Sequence, residues 1–339
     1  MTRGRSILAA GALLTGALTA SHIAAVSAQS AAPRPPQPQV AKVVDLMQMM
    51  AALPDAAPAQ PKQPRRVLVL AKAAGYVHSS IPLATRTIEA LGQKTGAWTT
   101  VITYNSADIN TENLKQYDAI FLASTTGTFL DDPADQAATN ARRAALLEFV
   151  RSGKGIAGIH AATDGYHGTP AGTPPPTAPA GTKAPEDGGV ALWPDYIGLI
   201  GGYFKFHWYF PTQIAVKLDD PASPINAPFK QHGFSIADEV YTFNQDSYSR
   251  SRVHVLASID YDKMPAEIKA KEPVPQRTDH DYALSYIHRE GQGRVFVTVL
   301  GHDESIYKLT PMLAHILAGV QYALGDLEAN DAPTTPATK

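Results

Sequence analysis

The chain of 339 residues contains no cysteine. That absence removes a Cys nucleophile, a thiolate zinc site, an iron–sulfur cluster, a disulfide framework and a thiol switch together. Charge is scarce and balanced, with 18% charged residues divided into 29 basic and 31 acidic. A net charge of −2 and a pI near 6.6 leave no basic excess, so no nucleic-acid partner is expected. There is no Gly-x-Ser-x-Gly elbow for serine chemistry and no His-Glu-x-x-His zinc motif. After the first buried run, Ala73-Ala74-Gly75 is the nearest approach to Gly-x-Gly-x-x-Gly, which disfavours a nucleotide cofactor. What remains for demanding chemistry is 11 histidines and the carboxylates.

The termini read as non-core. Arg3 and Arg5 precede an apolar stretch from Ile7 to Ala20, and Val26-Ser27-Ala28 forms a small-x-small site before Gln29. This pattern predicts an export signal over residues 1–28, cleaved after Ala28, and a periplasmic or secreted product. Gly11, Gly16, Ser21 and His22 break the stretch, which falls short of the ~20 residues of a bilayer span. No stable membrane span is therefore expected after cleavage. A chain without thiols suits an oxidising compartment. Residues 29–64 hold eight prolines and read as a linker. Within it, Val40, Val43, Val44, Met47 and Met50 predict a short docking helix over 40–53. Residues 326–339 read as a disordered tail.

Between these ends, 65–325 read as one α/β domain. Buried-type strands at 67–70, 117–122 and 155–159 alternate with helical spacing at 82–96 and 133–152, and 98–104 reads as a further strand. That alternation predicts a doubly wound, mainly parallel sheet with helices on both faces. Residues 168–189, with six prolines, interrupt as an inserted surface loop. A helix at 193–202 and strands at 213–218, 253–259, 282–288 and 294–300 follow. The last two strands are joined by a hairpin at 289–293, and a helix at 311–324 closes the domain.

Ligands in such sheets bind beyond the carboxyl ends of the strands. His78 lies in the loop after the first strand, His160 directly follows 155–159, and His302 follows 295–300 with one glycine between. Three histidines at equivalent strand ends point to one pocket. Asp164, four residues after His160, is the expected orienter of a catalytic imidazole. The same three imidazoles, with carboxylates and no thiols, could instead hold a divalent, zinc-like metal. Tyr203, Lys205, His207, Asn244 and Asp303 are the candidates for contacting substrate. His254, His288 and His315 read as packed residues, and His167, His232 and His280 as loop residues. Trp193, Tyr203, Trp208, Tyr209 and Phe210 suit either a sugar-stacking wall or the core, with the core reading favoured.

Several stretches resemble the ThuA-like (trehalose utilisation) family. They are Gly75-Tyr76-Val77-His78-Ser79-Ser80-Ile81-Pro82, Gly158-Ile159-His160-Ala161-Ala162-Thr163-Asp164, Gly201-Gly202-Tyr203-Phe204, Asp238-Glu239-Val240-Tyr241, and Gly291-Gln292-Gly293-Arg294-Val295-Phe296 through Leu300-Gly301-His302. The resemblance covers roughly 66–325 and implies a flavodoxin-like fold similar to class I glutamine amidotransferases. Those enzymes carry a Cys in the turn that holds His160 here, so glutaminase activity does not carry over. It also implies catabolism of trehalose or related disaccharides, with 3-keto-glycosides as intermediates. The insertion 168–189 departs from the family by separating the His160 motif from Trp193-Pro194-Asp195-Tyr196.

Two functions of different class follow. One is an exported enzyme on a disaccharide or keto-glycoside, with His160 as base or metal ligand and His78 and His302 as partners. The other is a non-catalytic carbohydrate-binding or scaffolding module. Both take a small carbohydrate ligand, and the oligomeric state is left open, a homo-oligomer included.

Overall fold

The computed structural model describes residues 37–170, 189–208, 213–273 and 275–334. The segment read as an export signal therefore lies outside the described residues, as do Tyr209, Phe210 and most of the insertion. Among the described residues, no helix is long and apolar enough to cross a membrane.

Helix α1 (Val43–Ala52) corrects two expectations. Its buried residues are Asp45, Met49 and Ala52, while Val40, Val43, Val44, Met47 and Met50 stay exposed. The expected docking face thus points outward. Polar anchors choose the inward face: Asp45 Oδ1 accepts from Lys308 Nζ at 2.7 Å, a partially buried pair that a Val–Met stripe could not supply. Residues 37–64 are also no tether. Gln37 bonds the backbone of Ala71 and Ala73, Ala59 bonds Gln321, and Lys62 N and Arg65 bond Asp326. The same contacts correct the tail, because Asp326 and Leu327 are buried and Asp331 accepts from Tyr322 at 2.8 Å.

The apolar runs become strands because each is too short for a helix and β-branched enough for a sheet. In order come β1 (Arg66–Leu70), α2 (Ile81–Thr95), β2 (Thr99–Thr103), α3 (Thr111–Leu114), β3 (Ala119–Ala123), α4 (Gln136–Arg151) and β4 (Gly155–Ile159). Helix α4 starts at the Asp135 cap, whose carboxylate accepts from Ala138 N, rather than at Pro133. Then follow β5 (His167–Gly168), β6 (Val190–Ala191), α5 (Pro194–Ile200), β7 (Phe204–Trp208), β8 (Gln213–Leu218), β9 (Phe234–Ala237) and β10 (Val240–Phe243). The chain closes with β11 (His254–Ile259), α6 (Ala266–Lys269), β12 (Ala283–Glu290), β13 (Gly293–Thr298) and α7 (Thr310–Ala323). Strands β5 and β6 pair antiparallel, so the two ends of the insertion meet.

The main sheet runs β2-β1-β3-β4-β13-β12-β11-β8-β9. Its first five strands are parallel and reproduce the flavodoxin order 2-1-3-4-5, with β13 in fifth place. The remaining strands add antiparallel. Strands β7 and β10 form a separate antiparallel ribbon, with Tyr241 opposite His207. In register, Leu70 meets Leu122, Ala123 meets Ile159, and Ile159 meets Thr298. The strands therefore end on one edge, and the loops carrying His78, His160 and His302 leave from it.

Helix α7 lies close against β13: a Cβ on Gly319 would sit 2.4 Å from the Phe296 ring. From this helix His315 reaches Ile225 O at 3.0 Å and Ser285 Oγ at 2.9 Å, and burial pushes its pKa down to about 4. Unfolded, the ring takes a proton near pH 6.5; folded, it refuses one until about pH 4. Its contribution is full above pH 6.5 and is lost as pH falls toward 4, by up to ~3 kcal/mol. His315→Gln should lower the melting temperature at pH 7.5 and flatten its decline between pH 6.5 and 4. An unchanged decline would assign that pH sensitivity elsewhere.

Candidate metal and acid–base site

His160 opens the turn after β4 with φ +46°, a left-handed conformation uncommon outside glycine. Small neighbours Ala161 and Ala162 let the chain fold back there, and the ring is fully buried. Its Nδ1 lies 2.9 Å from Val299 O. A carbonyl only accepts, so Nδ1 carries the hydrogen, and in the neutral ring Nε2 presents a bare lone pair. This is how metal-bound histidines are usually oriented.

Three groups converge on that lone pair. His78 Nε2 and His302 Nδ1 each lie 3.2 Å from His160 Nε2, and Glu239 Oε2 lies 3.3 Å away. Glu239 Oε2 is also 2.9 Å from His302 Nδ1, while its Oε1 is 3.0 Å from His207 Nδ1. The imidazole planes cross at 80–89°, which points their edges inward rather than stacking them. One ligand atom from each of His78, His160, Glu239 and His302 lies within 4.8 Å of the others. A set of three imidazoles and one carboxylate can hold a divalent metal ion.

The electrostatics favour that use. Burial, reinforced by the neighbouring imidazoles, pushes His78 down to about 2, so it is neutral at any working pH. Burial opposes ionisation of Glu239, but the imidazoles gathered around it, with His302 Nδ1 at 2.9 Å, outweigh it and hold its carboxyl well below the usual range. Burial also works against protonated His302, yet the Glu239 hydrogen bond and charge raise its pKa. Asp238, fully buried, is pushed up to about 6 by desolvation although it accepts backbone N–H bonds from Gly301 and Asp303. Those bonds shape the loop that presents His302. Gly301 makes the turn possible with φ +132°, and a Cβ there would strike the Ile159 side chain at 2.8 Å.

A family model described as ThuA, trehalose utilisation, matches residues 66–323. The chain belongs to the ThuA family. Among solved structures, it is similar to a ThuA-like protein from Bacteroides uniformis, with 19% identity, a TM-score of 0.56, and coverage of 77% of this chain and 92% of that one. A ThuA-like protein from Parabacteroides merdae shares 14% identity with a TM-score of 0.48, covering 79% of this chain and 93% of that one. At such identity the first likeness speaks for the fold alone. No curated protein matches the chain in sequence.

Within this ThuA domain, His78, His160 and His302 come together as the strand-end argument expects, and His207 joins them through Glu239. The other candidates go elsewhere. Asp164 does not orient His160; its Oδ1 is 2.6 Å from His167 Nε2, and the Val299 carbonyl takes the orienting role. Lys205 is 4% exposed and points to Glu272 at 3.2 Å, so it is a structural ion pair rather than a substrate contact. Tyr203 is buried, with its hydroxyl donating to Gly189 O at 3.0 Å and its ring stacked on His167. Asn244 Oδ1 caps the turn at Asp246 N, and Asp303 Oδ1 caps Ser305 N. Trp193 and Trp208 are core. Sequence reasoning missed Glu239, Asp238 and Tyr241, whose ring lies 4.3 Å from His160. The available signal was the acid pair in the family-like stretch Asp238-Glu239-Val240-Tyr241, directly before and within β10.

Proposed function

We propose that this ThuA-family chain is an exported enzyme of carbohydrate catabolism that acts on a keto-glycoside with one zinc-like divalent ion held by His78, His160, Glu239 and His302. The carrying observation is the convergence of the bare His160 Nε2 with two further imidazoles and an ionised carboxylate. A metal there, when bound, would polarise a sugar carbonyl as a Lewis acid. His207 supplies the acid–base partner: its side chain is 39% exposed and its Nδ1 lies 3.0 Å from Glu239 Oε1. A carbonyl acidifies the neighbouring C–H. His207 takes that proton, the electron pair forms a C=C bond, the glycosidic C–O bond breaks, and the departing oxygen takes up a proton. Export is supported by the Arg3/Arg5 start, the apolar stretch and the Val26-Ser27-Ala28 site.

Incubation of the purified protein with 3-keto-trehalose should give product by NMR, lose it with chelator, and regain it on adding Zn2+. Turnover that survives full metal removal would leave His-only acid–base catalysis. Binding without turnover under either condition would retire the enzyme in favour of a carbohydrate-binding module.

A further inference from the structure

The expected sugar-stacking wall is buried: Trp193, Tyr203 and Trp208 are 7%, 7% and 0% exposed. Among the described residues one large aromatic side chain is exposed, Tyr76 at 66%. Single exposed apolar residues are ordinary, so exposure alone carries nothing. Position and rigidity set this one apart.

The Tyr76 ring centroid is 4.7 Å from that of His78, with planes crossing at 75°. His78 in turn lies 4.7 Å from His160 and 5.1 Å from His302. The ring therefore stands at the rim of the cluster, edge-on to one of its members. The backbone beneath it is pinned to the neighbouring strand-end loop. Ala74 N donates to Thr126 O at 2.9 Å, Gly75 N donates to Thr126 Oγ1 at 3.0 Å, and Thr126 Oγ1 donates to Tyr76 O at 2.8 Å. The loops press so closely that a Cβ on Gly127 would sit 2.8 Å from Gly75 N. A solvent-facing ring on a mobile loop would pay ordering entropy on contact with a ligand; this one is already placed.

We propose that Tyr76 is the stacking platform for a pyranose ring of the substrate, holding the sugar against the His78–His302 side of the cluster. This rests on the carbohydrate reading above. A pyranose offers one face of C–H groups to an aromatic ring and keeps its hydroxyls for polar partners, and a tyrosine presents an apolar face with a polar tip. The cluster and His207 are polar, and among the aromatic rings near them, Tyr241, Phe204 and Phe206 included, Tyr76 is the exposed one.

The test uses Zn2+-loaded protein with trehalose as probe, by calorimetry, on wild type, Tyr76→Phe and Tyr76→Ala. Tyr76→Ala should weaken trehalose binding about 10-fold and Tyr76→Phe by no more than about 2-fold. Zn2+ affinity should be the same in all three, which separates loss of the platform from damage to the cluster. A Tyr76→Trp variant should shift its indole emission on adding trehalose. Tyr76→Ala binding trehalose as tightly as wild type would overturn the platform and leave the carbohydrate reading standing. Wild type and every variant failing to bind trehalose or 3-keto-trehalose, while fully metal-loaded, would overturn the carbohydrate reading and the platform together.

Discussion

Glu239→Gln should lower Zn2+ affinity by more than ~100-fold while the protein stays folded. Changes to groups that merely support a ligand cost about 10–100-fold, so loss of the anionic ligand itself should exceed that range. The substitution keeps the side-chain shape. It removes the charge that faces His160 Nε2 at 3.3 Å and His302 Nδ1 at 2.9 Å. A neutral amide also cannot offset the charge of a cation in a site this buried. His160→Ala should be at least as damaging, since it deletes the nitrogen on which the other three groups converge. Asp164→Asn provides the contrast. Its carboxylate is engaged with His167, so Zn2+ affinity should change little. Competition titration against a chromophoric chelator reads all three. Glu239→Gln binding Zn2+ like wild type would remove the carboxylate from the ligand set, and Asp164→Asn losing the ion would restore the sequence-based assignment.

That pair of variants also marks where the sequence was legible. The histidines could be placed because each follows a buried run, and parallel strands of similar length end on a common edge. Asp164 misled because a four-residue spacing puts two side chains on one face only in an α-helix. Here His160–Asp164 is a 3₁₀ turn entered from a left-handed residue, and in that geometry positions three apart align. Asp164, the last residue of that turn, instead reaches His167 on β5, the strand that follows. Glu239 was hidden for a different reason. It sits at the mouth of a ribbon, β7 with β10, whose aromatic and polar residues show neither clean alternation nor a continuous apolar run. The outward face of α1 shows the third limit, that periodicity identifies a helix but buried polar partners decide which side is turned inward. The βαβ alternation implied a parallel sheet but not the order β2-β1-β3-β4, and β13 in fifth place was further hidden because the inserted strands separate it from β4 in the chain.

Metal affinity should fall as pH falls, beginning above pH 6.5 and at a slope below three protons per ion. Coordination requires neutral imidazoles, so each ligand that must lose a proton costs about tenfold in affinity per pH unit below its pKa. Three unperturbed histidines would produce a steep loss starting at the ordinary imidazole value of about 6.5. This cluster should behave otherwise. His78 is pushed down to about 2, so it holds no proton to displace and drops out of the competition. His302 is shifted the opposite way: burial opposes its charged form, but the Glu239 hydrogen bond and charge prevail and raise its pKa above the ordinary imidazole value. A proton between His302 and Glu239 is thus a competitor that zinc must remove, and it is held to a higher pH than on an unperturbed imidazole. Glu239 itself stays ionised, since the imidazoles around it hold it well below the usual carboxylate range. Below the pKa of the competing group the loss should come to about tenfold per pH unit for each competing proton. Zinc titrations from pH 8 to 5, with proton release counted by calorimetry in buffers of different ionisation enthalpy, give onset and slope together. His302→Gln should flatten the upper part of the curve. An onset at or below pH 6 with three protons released per ion would mean that the imidazoles titrate as independent solvent-exposed groups, and the buried cluster would not be the zinc site.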